Sequence, residues 1–194
     1  MSGPSRPAGR DDAGIDFFFD LGSPYAYLAA ERLQRTDLDV TWRPVLLGAI
    51  FALRGHGSWS QTAARDERVA EIEARAERYG LPPVAWPPEW PPNTLAAMRA
   101  ATWTASSAFA LACFRRAFAA GEDLGDLAVL EAAAAECGFE GLREAVADPR
   151  VKQRLKDGTD EAWAAGVTGV PAFRVGEEVF YGDDRLADAL TAAR

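Results

Sequence analysis

The chain has 194 residues, a formal net charge of −8 and 48% hydrophobic residues, which suits one core of ordinary size. An acidic balance with no basic face argues against nucleic acid as a partner, because neutralising phosphates needs clustered Lys and Arg. The longest uncharged stretch, Ala100 to Phe114, falls short of the roughly 18 apolar residues of a membrane span and contains Thr and Ser, so it reads as a buried helix.

Met1 to Arg10 is a Ser, Gly, Pro and Arg tail. It lacks the apolar stretch of a secretory leader, so residues 1–14 are expected to be a disordered tail on a cytoplasmic protein. Cys113 and Cys137 read as two small buried hydrophobes in a reducing compartment. His56 is the single histidine and has no Cys or His partner at ligand spacing, so no metal is expected. Neither a dinucleotide-binding glycine motif nor a phosphate-binding loop occurs.

The first strand is read at Ile15 to Asp20, from Phe17, Phe18 and Phe19 between acidic ends. It leads into Ser23-Pro24-Tyr25-Ala26, after which Leu28 and Leu33 give a helix its apolar face. Ser followed by Pro is what an ordinary helix start prefers at N-cap and N1. The same start offers unpaired N–H groups and about half a positive charge, which favours a thiolate or carboxylate placed there. Ser23 therefore reads both as a plain cap and as a hydroxyl able to hold a sulfur anion, though never as half of a disulfide.

Val40 to Val45 makes a second strand, returning parallel to the first by a right-handed crossover. From about Leu46 to Ala165 the pattern is helical, with segments at Ala63 to Tyr79, Thr94 to Ala120, Leu124 to Cys137 and Pro149 to Ala165. Asn93 suits the cap of the long segment and Gly121 its stop. Pro82 to Pro92, with Trp86 and Trp90, is too ring-stiffened for helix and is expected as a lid or wall of a site. In Gly166 to Phe173, Pro171 is a candidate for a cis bond and removes a ladder donor, freeing the adjacent backbone for a peptide-like ligand. Ala172 to Val175, a turn at Gly176-Glu177, Val179 to Tyr181 and a last helix from Asp183 complete the chain.

Five segments, in order, carry a resemblance: Asp16-Phe17-Phe18-Phe19-Asp20 into Ser23-Pro24-Tyr25; Trp42-Arg43-Pro44 with Leu47-Gly48-Ala49-Ile50-Phe51; Asn93-Thr94 with Ala97-Met98-Arg99; Gly169-Val170-Pro171; and Gly182-Asp183-Asp184-Arg185-Leu186. Together they resemble the 2-hydroxychromene-2-carboxylate isomerases and the kappa-class glutathione transferases, in the DsbA-like branch of the thioredoxin superfamily. The resemblance spans nearly the whole chain after residue 14. It implies an α/β, thioredoxin-like fold with a large all-helical insertion: residues 15–48 and 166–194 form the thioredoxin-like domain, and residues 49–165 the inserted helical subdomain. Ser23 stands where redox relatives carry the first sulfur of a Cys-x-x-Cys pair.

By the same resemblance the cofactor is glutathione. Ser23 would donate to its sulfur, the Val170 main chain would pair with its cysteinyl part, and Asp184 would meet the γ-glutamyl ammonium beside the N–H groups of the last helix. Pro24, Tyr25, Pro171 and Asp183 complete this expected binding set. The substrate would be a small aromatic carboxylate, with Phe51, Trp59, Trp86 and Trp90 as candidate walls, and relatives suggest a homodimer. Glycine, asparagine and lysine contacts usual after the Phe51 segment are replaced by Gly55-His56-Gly57, Ala64 and Arg65, and Asp183 replaces a usual Gln or Ser. His56 or Arg65 is expected to take over the glycyl carboxylate. Two further readings remain: kappa-type thiol transfer to other electrophiles, and a redox-silent binding module using the Pro171 edge.

Overall fold

The computed structural model describes residues 14–55 and 57–194. The expected tail, apart from Gly14, and His56 lie outside the described residues. The chain runs β1 (Ile15–Phe19), α1 (Pro24–Leu33), β2 (Val40–Pro44), α2 (Leu47–Arg54), a 3₁₀ turn (Trp59–Gln61) and α3 (Arg65–Arg78). There follow α4 (Leu95–Thr104), α5 (Ser107–Phe118), α6 (Leu127–Glu136), α7 (Leu142–Ala147) and α8 (Pro149–Ala164). It closes with β3 (Ala172–Val175), β4 (Glu178–Tyr181), a second 3₁₀ turn (Asp183–Arg185) and α9 (Leu186–Ala192).

The sheet order is β2-β1-β3-β4. β2 is parallel to β1, as the crossover required, while β3 and β4 add antiparallel. Ile15, Phe17 and Phe19 enter the larger core on one face of β1, where Phe17 stacks on Phe173 with centroids 5.4 Å apart and meets Trp42 edge-on at 4.9 Å. Phe18 enters a smaller cluster on the other face with Val45, Ile50, Val167, Val170 and Ala172. Burial on both faces explains why β1 reads as an unbroken aromatic run without alternation.

The expected single helix from Thr94 to Ala120 is two helices. Ala105 sits in the left-handed region at φ 47°, and Ser106 caps α5 by accepting the Phe109 N–H at 3.2 Å. Alanine propensity hides this break, because the serine offers the backbone an alternative to continued helix. Asn93 Oδ1 does accept a backbone N–H, that of Leu95 at 3.2 Å, but the residue at the boundary of α4 is Thr94. No described helix is long and apolar enough to cross a membrane.

Candidate active site

β1 ends pointing at the start of α1, and the turn between them delivers Ser23 to the helix N-cap. Its Oγ accepts the Ala26 N–H at 3.2 Å, and the residue is 5% exposed. Two cavities meet there. One, of about 360 Å³, is walled by Pro24, Leu46, Leu47, Phe51, Trp59 and Trp90, with Asp20, Asn93 and Thr94 among its polar groups. No Lys or Arg lines it among the described residues. The other, of about 480 Å³, is lined by Tyr25, Arg54, Arg68, Arg75, Val170, Pro171 and Asp184, among others. Ser23, Leu47, Phe51 and Trp59 belong to both.

The second cavity is built on a charge network. Glu71 accepts from the Tyr25 hydroxyl at 3.1 Å and from Arg68 and Arg75, each at 2.6 Å. Asp183 accepts from Arg75 and, at 2.9 Å, from the Tyr79 hydroxyl, while Arg32 donates to its main-chain oxygen. Burial, reinforced by the Glu71 charge, pushes the Tyr25 phenol up to about 12, so it stays a donor committed to Glu71. Val170–Pro171 is a cis bond, and no hydrogen bond among the described residues engages the Val170 N–H or C=O. Gly169 lies under the wall opposite: a Cβ there would come 2.6 Å from the Tyr181 ring, which would have to swing aside.

Asp20 anchors the first cavity. Its carboxylate accepts the Gly22 N–H at 2.9 Å, the Leu47 N–H at 2.9 Å and the Thr94 hydroxyl at 3.1 Å, tying the Ser23 turn to the starts of α2 and α4. Burial raises its pKa above the ordinary value, although these three bonds oppose the rise. With the folded value above the unfolded one, ionisation of Asp20 costs stability as pH rises through that folded value, and proton uptake restores it below. Thr94→Val removes one donor from the ionised form, so its loss of stability, about 1.5–3 kcal/mol for a bond to a charged group, is largest at neutral pH. Thermal melts of both proteins from pH 4 to 7.5 should show the gap narrowing as the medium becomes acidic.

Tyr25, Val170, Pro171, Asp183 and Asp184 stand with Ser23 around the polar cavity, while Pro24, Phe51, Trp59 and Trp90 border the apolar one. Two expected residues lie elsewhere. Arg65 opens α3 with its guanidinium 5.9 Å from the Trp90 ring centroid, outside both linings. The first turn of α3 lies against the tryptophans, and the cavity is reached one and three turns later by Arg68 and Arg75. Trp86 lines neither cavity: its Nε1 donates to Glu73 at 2.9 Å, and its ring supports Trp90 from 4.9 Å. Arg54, Arg68, Glu71, Arg75 and Asp20 were missed as site residues. The spacing of Arg68, Glu71 and Arg75 on one helix face was the available signal for three of them.

The site is thus a strand-to-helix turn that faces a cis-proline edge, with Ser23 capping the helix beside both cavities. The chain belongs to the DsbA-like thioredoxin family, whose model matches residues 14–193. It is 29% identical over 183 residues to a 2-hydroxychromene-2-carboxylate isomerase of Sphingobium xenophagum, an alignment covering 89% of this chain and 93% of that protein. Among solved structures it resembles a 2-hydroxychromene-2-carboxylate isomerase, with a TM-score of 0.80 and 22% identity over 92% of this chain and 93% of the other. It also resembles the cytosolic disulfide reductase DsbM from Pseudomonas aeruginosa with GSH, with a TM-score of 0.57 and 18% identity over 93% of this chain and 95% of that one.

Proposed function

We propose that this protein is a glutathione-dependent isomerase of 2-hydroxychromene-2-carboxylate-type intermediates of aromatic degradation, acting in the cytoplasm. One observation carries the reading: Ser23 sits where a polar, charge-lined cavity opens onto an apolar, tryptophan-walled one. A thiol compound held in the first would have its sulfur at Ser23, on the border with the cavity that would hold an aromatic ring. The named relative in Sphingobium xenophagum supports the choice of reaction, and two free cysteines agree with a reducing compartment.

The residues fit a tripeptide. The unpaired main chain of Val170 is a donor and acceptor for an extended backbone, and Asp184 is a carboxylate for an ammonium. When bound, glutathione would supply a thiol whose reversible addition turns the carbon–carbon double bond of the ring-opened substrate into a single bond free to rotate, the thiol leaving again to restore the double bond. Ser23 donates its hydroxyl to the sulfur at the positive end of α1. Phe51, Trp59 and Trp90 exclude water and fix the plane of the ring. Proximity supplies most of the acceleration, since orienting the two partners can contribute several kcal/mol.

The expected result is conversion of 2-hydroxychromene-2-carboxylate to the trans-benzylidenepyruvate, followed by absorbance, only when glutathione is present. Unchanged spectra with glutathione at millimolar concentration would overturn the reading. The lack of a described cation around the apolar cavity favours a second reading, kappa-type transfer to uncharged electrophiles. A stable glutathione conjugate among the products would select it.

A further inference from the structure

The charges that face the polar cavity do not all cancel within the protein. Arg68 and Arg75 are both held by Glu71, and Arg75 also by Asp183. Two lining charges are left without an ion-pair partner among the described residues: Arg54 and Asp184. Arg54 ends α2, just before Gly55 turns the chain in the left-handed region at φ 68°. Its Nη1 donates at 2.8 Å to the Thr168 carbonyl, on the loop that leads to Val170 and Pro171. A guanidinium has five donors, so one bond to a carbonyl leaves the rest of its planar fork for a carboxylate. Asp184 follows Gly182 and Asp183 at the far end of β4, against the same cavity. The pair left over is one cation and one anion, a pattern complementary to a ligand with an ammonium at one end and a carboxylate at the other.

We infer that Arg54 is the specificity-determining counter-ion for the C-terminal carboxylate of the thiol tripeptide. The inference rests on the glutathione reading and goes beyond it by assigning the carboxylate end to a residue outside the sequence-expected set of His56 and Arg65. It also accounts for how the cavity accepts a carboxylate despite Asp183, whose charge is already engaged by Arg75 and Tyr79.

The test is calorimetric titration of the full chain with glutathione and with its glycine-end monoethyl ester, which lacks only that carboxylate. Wild type should bind the ester roughly tenfold more weakly than glutathione, the loss of one charge-assisted contact. Arg54→Ala should lose the same factor for glutathione and nothing for the ester, and Arg54→Lys should recover part of it. Added salt should shrink the difference. Thermal melts check that Arg54→Ala folds, and Arg54→Lys gives the comparison if it does not. Wild-type binding that Arg54→Ala leaves unchanged, or weakens equally for both ligands, overturns the assignment of Arg54 alone. A wild type that binds neither ligand overturns the glutathione reading and this inference together.

Discussion

Ser23→Ala keeps its fold and loses most of its turnover. Removing a hydrogen bond to a charged sulfur costs about 1.5–3 kcal/mol, which raises the pKa of the bound thiol by about one to two units and so lowers the rate near pH 7.5 by up to about tenfold. The structural cost is smaller. Ser23 Oγ caps α1 through the Ala26 N–H, and losing such a cap costs about 1 kcal/mol, or a few degrees in Tm for a chain of this length. Glutathione affinity should change little, because Val170, Asp184 and Arg54 lie on other segments of the polar cavity. The pH profile separates the two roles of the serine. A free thiol near 8.5 is about 10% ionised at pH 7.5, so thiolate supply can explain no more than about tenfold. The variant, with its bound thiol less acidic, should keep gaining rate at pH values where the wild type is already flat. Equal rates and parallel profiles would return Ser23 to plain capping.

Arg75→Met should produce the largest loss of stability. Asp183 is 1% exposed, and its carboxylate is held by Arg75 and the Tyr79 hydroxyl. Removing one partner of a buried pair leaves an uncompensated charge and costs about 3–5 kcal/mol. For a chain of this length that is about 6–20 °C in Tm. Burial already raises the Asp183 pKa, with Arg75 the strongest opposing influence. Without Arg75 it rises further, so the deficit should be greatest at neutral pH and shrink as acid protonates Asp183. The double variant Arg75→Met with Asp183→Asn should recover much of the loss, since Arg32 binds the main-chain oxygen of residue 183 and keeps its bond. A deficit that does not vary with pH, or no recovery in the double variant, would place the effect in the lost contact of the Arg75 guanidinium with the Tyr25 ring.

Both results depend on residues that differ in how visible they were in advance. The Ser23-Pro24 cap, the aromatic strand before it and the Gly169-Val170-Pro171 segment are local signals, because capping, strand propensity and the missing proline N–H act within a few residues. They located Ser23 and Pro171 and ordered the first crossover, while it was the resemblance carried by the five segments that put the two residues in one site. The break at Ala105 and Ser106 was hidden, since alanine on both sides favours helix equally and Ser106, capping α5 through the Phe109 N–H, offers the backbone its alternative.

Arg54, Arg65, Arg68 and Arg75 look alike in the amino-acid sequence, all on helices within two dozen positions. Which of them reaches the cavity, which lies on a tryptophan and which keeps an unmatched charge depends on the rotation of α2 and α3 against the sheet. Local composition could therefore announce a helix start able to hold a sulfur anion. The partners of each charge came from long-range packing, because ion pairs and cavity walls join residues up to a hundred or more positions apart, and no local preference encodes which face a helix turns inward.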